Sequence, residues 1–191
     1  MINNPKAYSV KVFNHLLKRG QVRHGMEVTA YNGFIGGAMK RVAGMGWYRH
    51  IAGANDKVLF CAHADTVTSG TFNYSRVTRK GGLWACKGSN IGADDKAGMA
   101  IILTMIMAEV PGHYCIFDGE EVGCVGSDAF TRGNPDLLAG ITHAIAFDRA
   151  GKHDVITHQG FGMTCSVECA EAISTLLNDG TGFIYSPCDT G

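Results

Sequence analysis

Three short apolar runs in this chain end alike. Residues 57–62 (KVLFCA) lead into His63 and Asp65, residues 113–117 (HYCIF) into Glu120 and Glu121, and residues 142–147 (THAIAF) into Asp148. Compact apolar runs of this length, bounded by polar or glycine-rich segments, read as buried strands. Strands buried on both faces need helices to cover them. Residues 97–110, apolar on most of their surface, read as a buried helix, and residues 127–132 as a shorter one. Strands alternating with helices imply an α/β layered domain, with a mostly parallel mixed central sheet and helices on both faces. In such sheets ligands bind beyond the carboxyl ends of the strands. The acids and the imidazole stand at that edge.

Elsewhere the pattern is plainer. Residues 5–19 place Val10, Val12, Phe13, Leu16 and Leu17 near one helical face, and Gly20 stops the helix. Dense glycines over residues 26–51 predict short strands joined by turns. Residues 68–90 predict a loop with a small hairpin, its strands at 72–77 and 83–85. A strand at 154–157, a helix at 165–177 and a strand at 182–185 follow. At 191 residues the chain suits one domain with a real core.

Lys plus Arg equals Asp plus Glu at 17 each, so net charge calls for neither nucleic acid nor an anionic membrane as partner. The N-terminus lacks a basic stretch followed by an apolar segment, and the most apolar run, GMAIILTMIMAEV, is too short to span a bilayer. The seven cysteines are odd in number, form no CxxC pair and lie mostly in apolar runs, as reduced thiols do. The expectation is a soluble, cytoplasmic protein, with an oligomer left open.

Four clusters carry the chemistry. In HAD, residues i and i+2 of an extended segment point the same way. Asp65 can therefore hold one nitrogen of His63 while the other faces a metal. The plain alternative is a strand-end histidine capped by an acid. In GADDKAG, one aspartate suffices to cap the following helix. Capping does not require two adjacent acids, and a carboxylate spanning two cations is an economical way of holding them close together. In FDGEEVG, neighbouring glutamates point apart, so one can bind a metal while the other serves as general base; the plain alternative is a solvated glutamate pair. In AFDRAG, Asp148 ends a strand. Asp118 and Asp128 read as surface or capping acids. All four clusters lie at one edge, and a histidine among Asp and Glu oxygens suits zinc, with manganese or cobalt also compatible.

In this order, HADTV, GADDKAG, GEEVGCVGS and AFDRAG, the sequence resembles the co-catalytic di-zinc exopeptidases of peptidase clan MH, a superfamily that includes bacterial leucyl aminopeptidase, tripeptidase and carboxypeptidase-type enzymes. The resemblance covers residues 57–191. It implies that His63, Asp94, Glu121 and Asp148 are metal ligands, with Asp94 bridging two divalent ions. It further implies that Glu120 is the general base, that Asp65 orients His63, and that the substrate is a peptide or small amide. It makes residues 1–191 a single metallopeptidase-like catalytic domain. The run after Asp148 looks more like the aminopeptidase branch, since the carboxypeptidase and tripeptidase branch inserts a dimerisation domain there. The family's fifth ligand, a downstream histidine, has no counterpart before Gly191; neither His153 nor His158 is read as replacing it, so the domain reads as incomplete at its C-terminus. Aminopeptidase activity is the first expectation. A related di-zinc deacylase or carboxypeptidase and an inactive fragment or binding module that keeps the fold are the alternatives.

Overall fold

The computed structural model of the chain describes residues 2–54, 56–150, 154–160, 162–177 and 184–186. It divides into two compact units, Met1–Asp148 and Arg149–Gly191. The first contains helices α1 (Pro5–Leu17), α2 (Glu27–Ile35), α3 (Ala93–Met107), α4 (Val125–Gly133) and α5 (Pro135–Gly140). Its strands are β1 (Lys40–Val42), β2 (Gly46–Ile51), β3 (Val58–His63), β4 (Val77–Lys80), β5 (Leu83–Cys86), β6 (Gly112–Phe117) and β7 (His143–Ala146).

Five of these strands form a mixed sheet in the order β1-β2-β6-β3-β7. The β1–β2 and β2–β6 pairs are antiparallel, and β3 runs parallel to both β6 and β7. From β3 the chain crosses through α3 to β6 on one side, then returns through α4 and α5 to β7 on the other side of β3. Such a reversal opens a crevice at the carboxyl ends of the strands.

The sheet is covered on both faces because side chains alternate along β6. Tyr114 and Ile116 join Leu16 of α1, Tyr31 and Ile35 of α2, and Met99 and Ile102 of α3. Cys115 and Phe117 join Phe130 of α4, with Leu137 and Leu138 of α5 against them. Each fully buried aliphatic side chain of this kind contributes about 1.5–3 kcal/mol relative to exposure. Helix α1 begins where Asn4 accepts the amide of Ala7 at 2.9 Å, with Pro5 already holding a helical φ.

Two local expectations need correction. Residues 26–51 do not form strands alone: α2 occupies 27–35, with Glu27, Tyr31 and Ile35 buried at four-residue spacing. Glycines 33, 36 and 37 hide that period in the sequence. The hairpin also starts later than expected. Tyr74–Arg76 is a 3₁₀ turn, and β4 pairs with β5 from Val77↔Cys86 to Lys80↔Leu83. The register is fixed by Gly81 and Gly82, whose φ of +58° and +79° give the two-residue turn that matches strand twist.

The second unit contains β8 (Asp154–Ile156), β9 (His158–Gln159), β10 (Gly162–Met163), α6 (Val167–Leu177) and β11 (Ile184–Ser186). β8 and β11 pair in parallel with α6 between them in sequence, and β9 and β10 form a short antiparallel pair. His153 and the first two residues of the strand expected at 182–185 lie outside the described residues. Among the described residues, no helix is long and apolar enough to cross a membrane.

Candidate metal centre

The centre is assembled in the first unit from the loops that follow β3, β6 and β7 and from the start of α3. His63 is the last residue of β3 and pairs in register with Phe117. The ladder runs one step further, because Ala64 donates its amide to the Phe117 carbonyl at 2.8 Å. This locks the segment carrying Asp65 beside the segment carrying Glu120 and Glu121. Asp65, 1 % exposed, completes the lock by accepting the amide of Glu120 on Oδ1 at 2.9 Å and that of Glu121 on Oδ2 at 3.1 Å. The loop after Asp65 is tied as well, since Val67 donates its amide to Glu121 Oε1 at 3.1 Å.

The two aspartates at the start of α3 do different jobs. Asp94 and Asp95 both have non-helical φ and ψ, and the peptide bond between them is cis. Asp95 is buried and fully engaged: Oδ1 accepts the Gly98 amide at 2.8 Å, and Oδ2 accepts the His63 amide at 3.2 Å. It therefore caps the regular part of the helix and fastens it to β3. Asp94, with its side chain 70 % exposed, is left free to face His63. The turn before them depends on Gly92, whose φ is +59° and whose added Cβ would stand 2.7 Å from Lys96 Nζ. Lys96 is itself fully buried and donates to the Gly92 carbonyl at 2.8 Å.

These segments bring the acids together around one imidazole. His63 Nε2 lies 3.0 Å from Asp94 Oδ1, 3.8 Å from Asp148 Oδ1 and 3.9 Å from Glu120 Oε2. Among the described residues its buried Nδ1 has no hydrogen-bond partner, and Asp65 Oδ1 stands 3.4 Å away. One possible ligand atom from each of His63, Asp94 and Glu121 lies within 4.8 Å of the others, and the same holds for His63, Glu120 and Asp148.

The electrostatics show an excess of negative charge. Burial alone would pull the pKa of His63 down, but the surrounding carboxylates of Asp148, Asp65 and Asp94 outweigh it, and the net shift is upward. Asp94 is lowered, first by its contact with His63. Glu120 and Glu121 are both raised, chiefly by burial. Burial also pushes Asp95 up to about 8 and Lys96 down to about 7. Among the described residues, a proton on His63 is the positive charge these oxygens share, with Lys96 acting on Asp94, and a divalent cation answers the same demand. One imidazole nitrogen with several Asp and Glu oxygens is a donor set that zinc, manganese or cobalt accepts. The residues present fit a metal.

All six residues picked out by the sequence, His63, Asp65, Asp94, Glu120, Glu121 and Asp148, thus meet at one edge of the sheet. His158 lies in the second unit, on β9, with Nδ1 2.9 Å from the hydroxyl of Thr157. The sequence reading missed some of the supports. Asp118 is not a surface acid: it is 5 % exposed and held in a two-pronged ion pair by Arg41 of β1. Thr66 and Val22 exchange hydrogen bonds, Val22 N to Thr66 Oγ1 and Thr66 N to the Val22 carbonyl, both at 2.8 Å. His24 rests on Gly119, where an added Cβ would come within 2.7 Å of its Nδ1, and hydrogen-bonds to the buried Glu27 at 2.9 Å. No local pattern announces contacts between segments so far apart. The glycines at 92 and 119, each placed just before site acids, were the available hint.

The profile described as peptidase family M28 matches residues 48–178. Among curated proteins no sequence matches significantly. Among solved structures, aminoacylhistidine dipeptidase from Vibrio alginolyticus superposes with a TM-score of 0.59 at 15% identity, covering 79% of this chain and 35% of that one. A tripeptidase from Staphylococcus aureus subsp. aureus Mu50 gives a TM-score of 0.56 at 18% identity, covering 81% of this chain and 46% of that one. The chain spans less than half the length of either, and at these identities the likeness is one of fold: an α/β domain with a mixed central sheet.

Proposed function

This chain belongs to peptidase family M28, and from that premise we propose that the cluster at the carboxyl ends of β3, β6 and β7 is the catalytic centre of a metal-dependent exopeptidase, specifically an aminopeptidase that hydrolyses N-terminal residues. The observation that carries this reading is the meeting of His63 with Asp94, Glu120, Glu121 and Asp148, four acids from three separate loops, around a buried imidazole. Residues 1–191 are read as the metallopeptidase-like part of one catalytic domain.

His63, Asp94, Glu121 and Asp148 would hold two divalent ions, zinc by preference, with Asp94 shared between them. When bound, such a pair supplies an activated water and polarises the substrate carbonyl. Glu120 takes the proton of the attacking water on its carboxylate and passes it to the leaving amine. Its raised pKa suits a group that must both accept and release a proton. Asp65 orients His63 and, through its two amide contacts, fixes the backbone of the base and of the neighbouring ligand together.

The test is hydrolysis of an aminoacyl anilide by the zinc-loaded chain, read beside its zinc content. Turnover that requires zinc supports the reading, and a chain that binds zinc yet cleaves no aminoacyl amide refutes it. A second reading, cleavage of di- or tripeptides as whole substrates, draws on the dipeptidase and tripeptidase folds that superpose on the chain. Comparing a tripeptide with a ten-residue peptide of the same N-terminus separates the two, since only the second reading expects the longer peptide to be refused.

A further inference from the structure

The chain is neutral overall, yet its charges are segregated along the sequence. Residues 1–26 carry five basic residues, Lys6, Lys11, Lys18, Arg19 and Arg23, and no Asp or Glu; residues 66–93 carry Arg76, Arg79, Lys80 and Lys87, and again no acid. The fold puts these two segments side by side. Phe13 of α1 packs edge-on against Trp84 of β5 with ring centroids 5.2 Å apart. Tyr74 and Arg79 both hydrogen-bond to the side chain of Asn14, and the Lys18 ammonium stands 5.7 Å from the Tyr74 ring.

On this side a groove of about 400 Å³ runs along α1 towards Phe34 of α2. It is lined by Tyr8, Lys11, His15 and Lys18, whose spacing of 3, 4 and 3 residues is one stripe of a helix. Among the described residues, neither Lys11 nor Lys18 pairs with a carboxylate. The positive field is felt at His15, whose pKa is lowered by burial first and then by Arg19 and Lys18.

We propose that this groove is a docking site for an acidic peptide segment of a partner protein, with two carboxylates reaching Lys11 and Lys18. Several features favour a peptide over a nucleic acid. The cations lining the groove are lysines, compact charges suited to single carboxylates, whereas phosphate recognition favours the arginine fork. Phe34 is stacked on His15 at 4.2 Å, so that face of the ring is closed to a base. A volume of 400 Å³ lies at the small end of ligand pockets, which run to about 300–1,000 Å³. Lys18, which caps α1, stands seven positions after Lys11, about 10 Å along the axis. An extended peptide rises about 3.3 Å per residue, so the two acids should stand three residues apart, with an apolar side chain between them over the His15–Phe34 pair.

The experiment is fluorescence polarisation with the full chain and a labelled hexapeptide bearing two glutamates three residues apart around a leucine. Binding should weaken as salt rises and fall at least tenfold in the double variant Lys11→Gln, Lys18→Gln, both positions being exposed. It should fall likewise when the two glutamates are made adjacent. The charge reversal Lys11→Glu with Lys18→Glu should instead bind the same peptide with lysines in place of the glutamates, which a merely structural role would not produce. Equal binding of a glutamine peptide, an unchanged affinity in the double variant, or tighter binding of a uridine decamer or inorganic phosphate than of the peptide would overturn the proposal.

Discussion

Two buried histidines stand on adjacent strands at opposite ends of the same sheet. His63 closes β3 at the carboxyl edge and is 3 % exposed; His113, the second residue of β6, stands at the other edge and is 8 % exposed. Around His63 the nearest polar groups are carboxylates, and the shift of its pKa is upward. Around His113 they are the Tyr48 hydroxyl, 2.7 Å from Nδ1, and the ring of His50, stacked at 4.2 Å. Its pKa is lowered, by burial first and then by His50. His50 has its own partner in Asp56 at 3.1 Å. Burial is common to both sites, so the difference comes from the neighbours. Where polar groups satisfy one another, a histidine is part of the packing; where acids converge without a matching cation, it belongs to a site that calls for one.

The largest expected effect separates the two ends by chemistry. Glu120→Gln should cost about 10²–10⁴-fold in kcat on an aminoacyl anilide while zinc content stays near that of the wild type. His113→Gln should leave kcat within a few-fold. If both variants lose activity alike, the assignment of the base is wrong and the sheet as a whole is being disturbed.

Metal affinity sharpens the comparison further. Asp94→Asn should lower zinc content measured by elemental analysis, since one carboxylate is shared by both proposed ions. Asp65→Asn should weaken zinc by about 10–100-fold, the usual cost of losing the partner that orients a ligating histidine. A His113→Gln control should bind zinc as the wild type does. Saturating the wild type with zinc should also raise its melting temperature, by an amount that corresponds to about 2.7 kcal/mol at a hundredfold excess over Kd.

The smallest effect concerns pH. His113 has a folded pKa below its ordinary 6.5, so the fold favours the neutral ring. The stability this contributes is fully present above pH 6.5 and is lost as pH falls through the folded pKa. Denaturant titrations between pH 7.5 and 5 should therefore show a shallower loss in His113→Gln than in the wild type. A steeper loss would mean that His113 is charged in the native state.

The site was more legible in the sequence than its scaffold. His63, Asp94, Glu120, Glu121 and Asp148 stand directly after apolar strands or at a helix start, and a parallel sheet brings such positions to one edge. Helix α2 was not legible, because glycines 33, 36 and 37 obscure the four-residue spacing of Glu27, Tyr31 and Ile35. The supports were not legible either. Arg41 and Asp118 are 77 residues apart, Val67 and Glu121 are 54 apart, and Val22 and Thr66 are 44 apart. Each pair is set by the docking of one loop on another, which leaves no periodic trace. Asp118 misled for that reason: an acid between a strand and a glycine looks solvated until Arg41 is placed against it.

The most direct measurement is anomalous diffraction at the zinc edge from crystals of the chain grown with zinc. The expected result is two peaks at the carboxyl ends of β3, β6 and β7, one beside His63 Nε2, with Asp94 contacting both and none at the His50–His113 stack. Density at that stack instead, or no peak among His63 and the acids at 94, 121 and 148, would contradict a metal centre there.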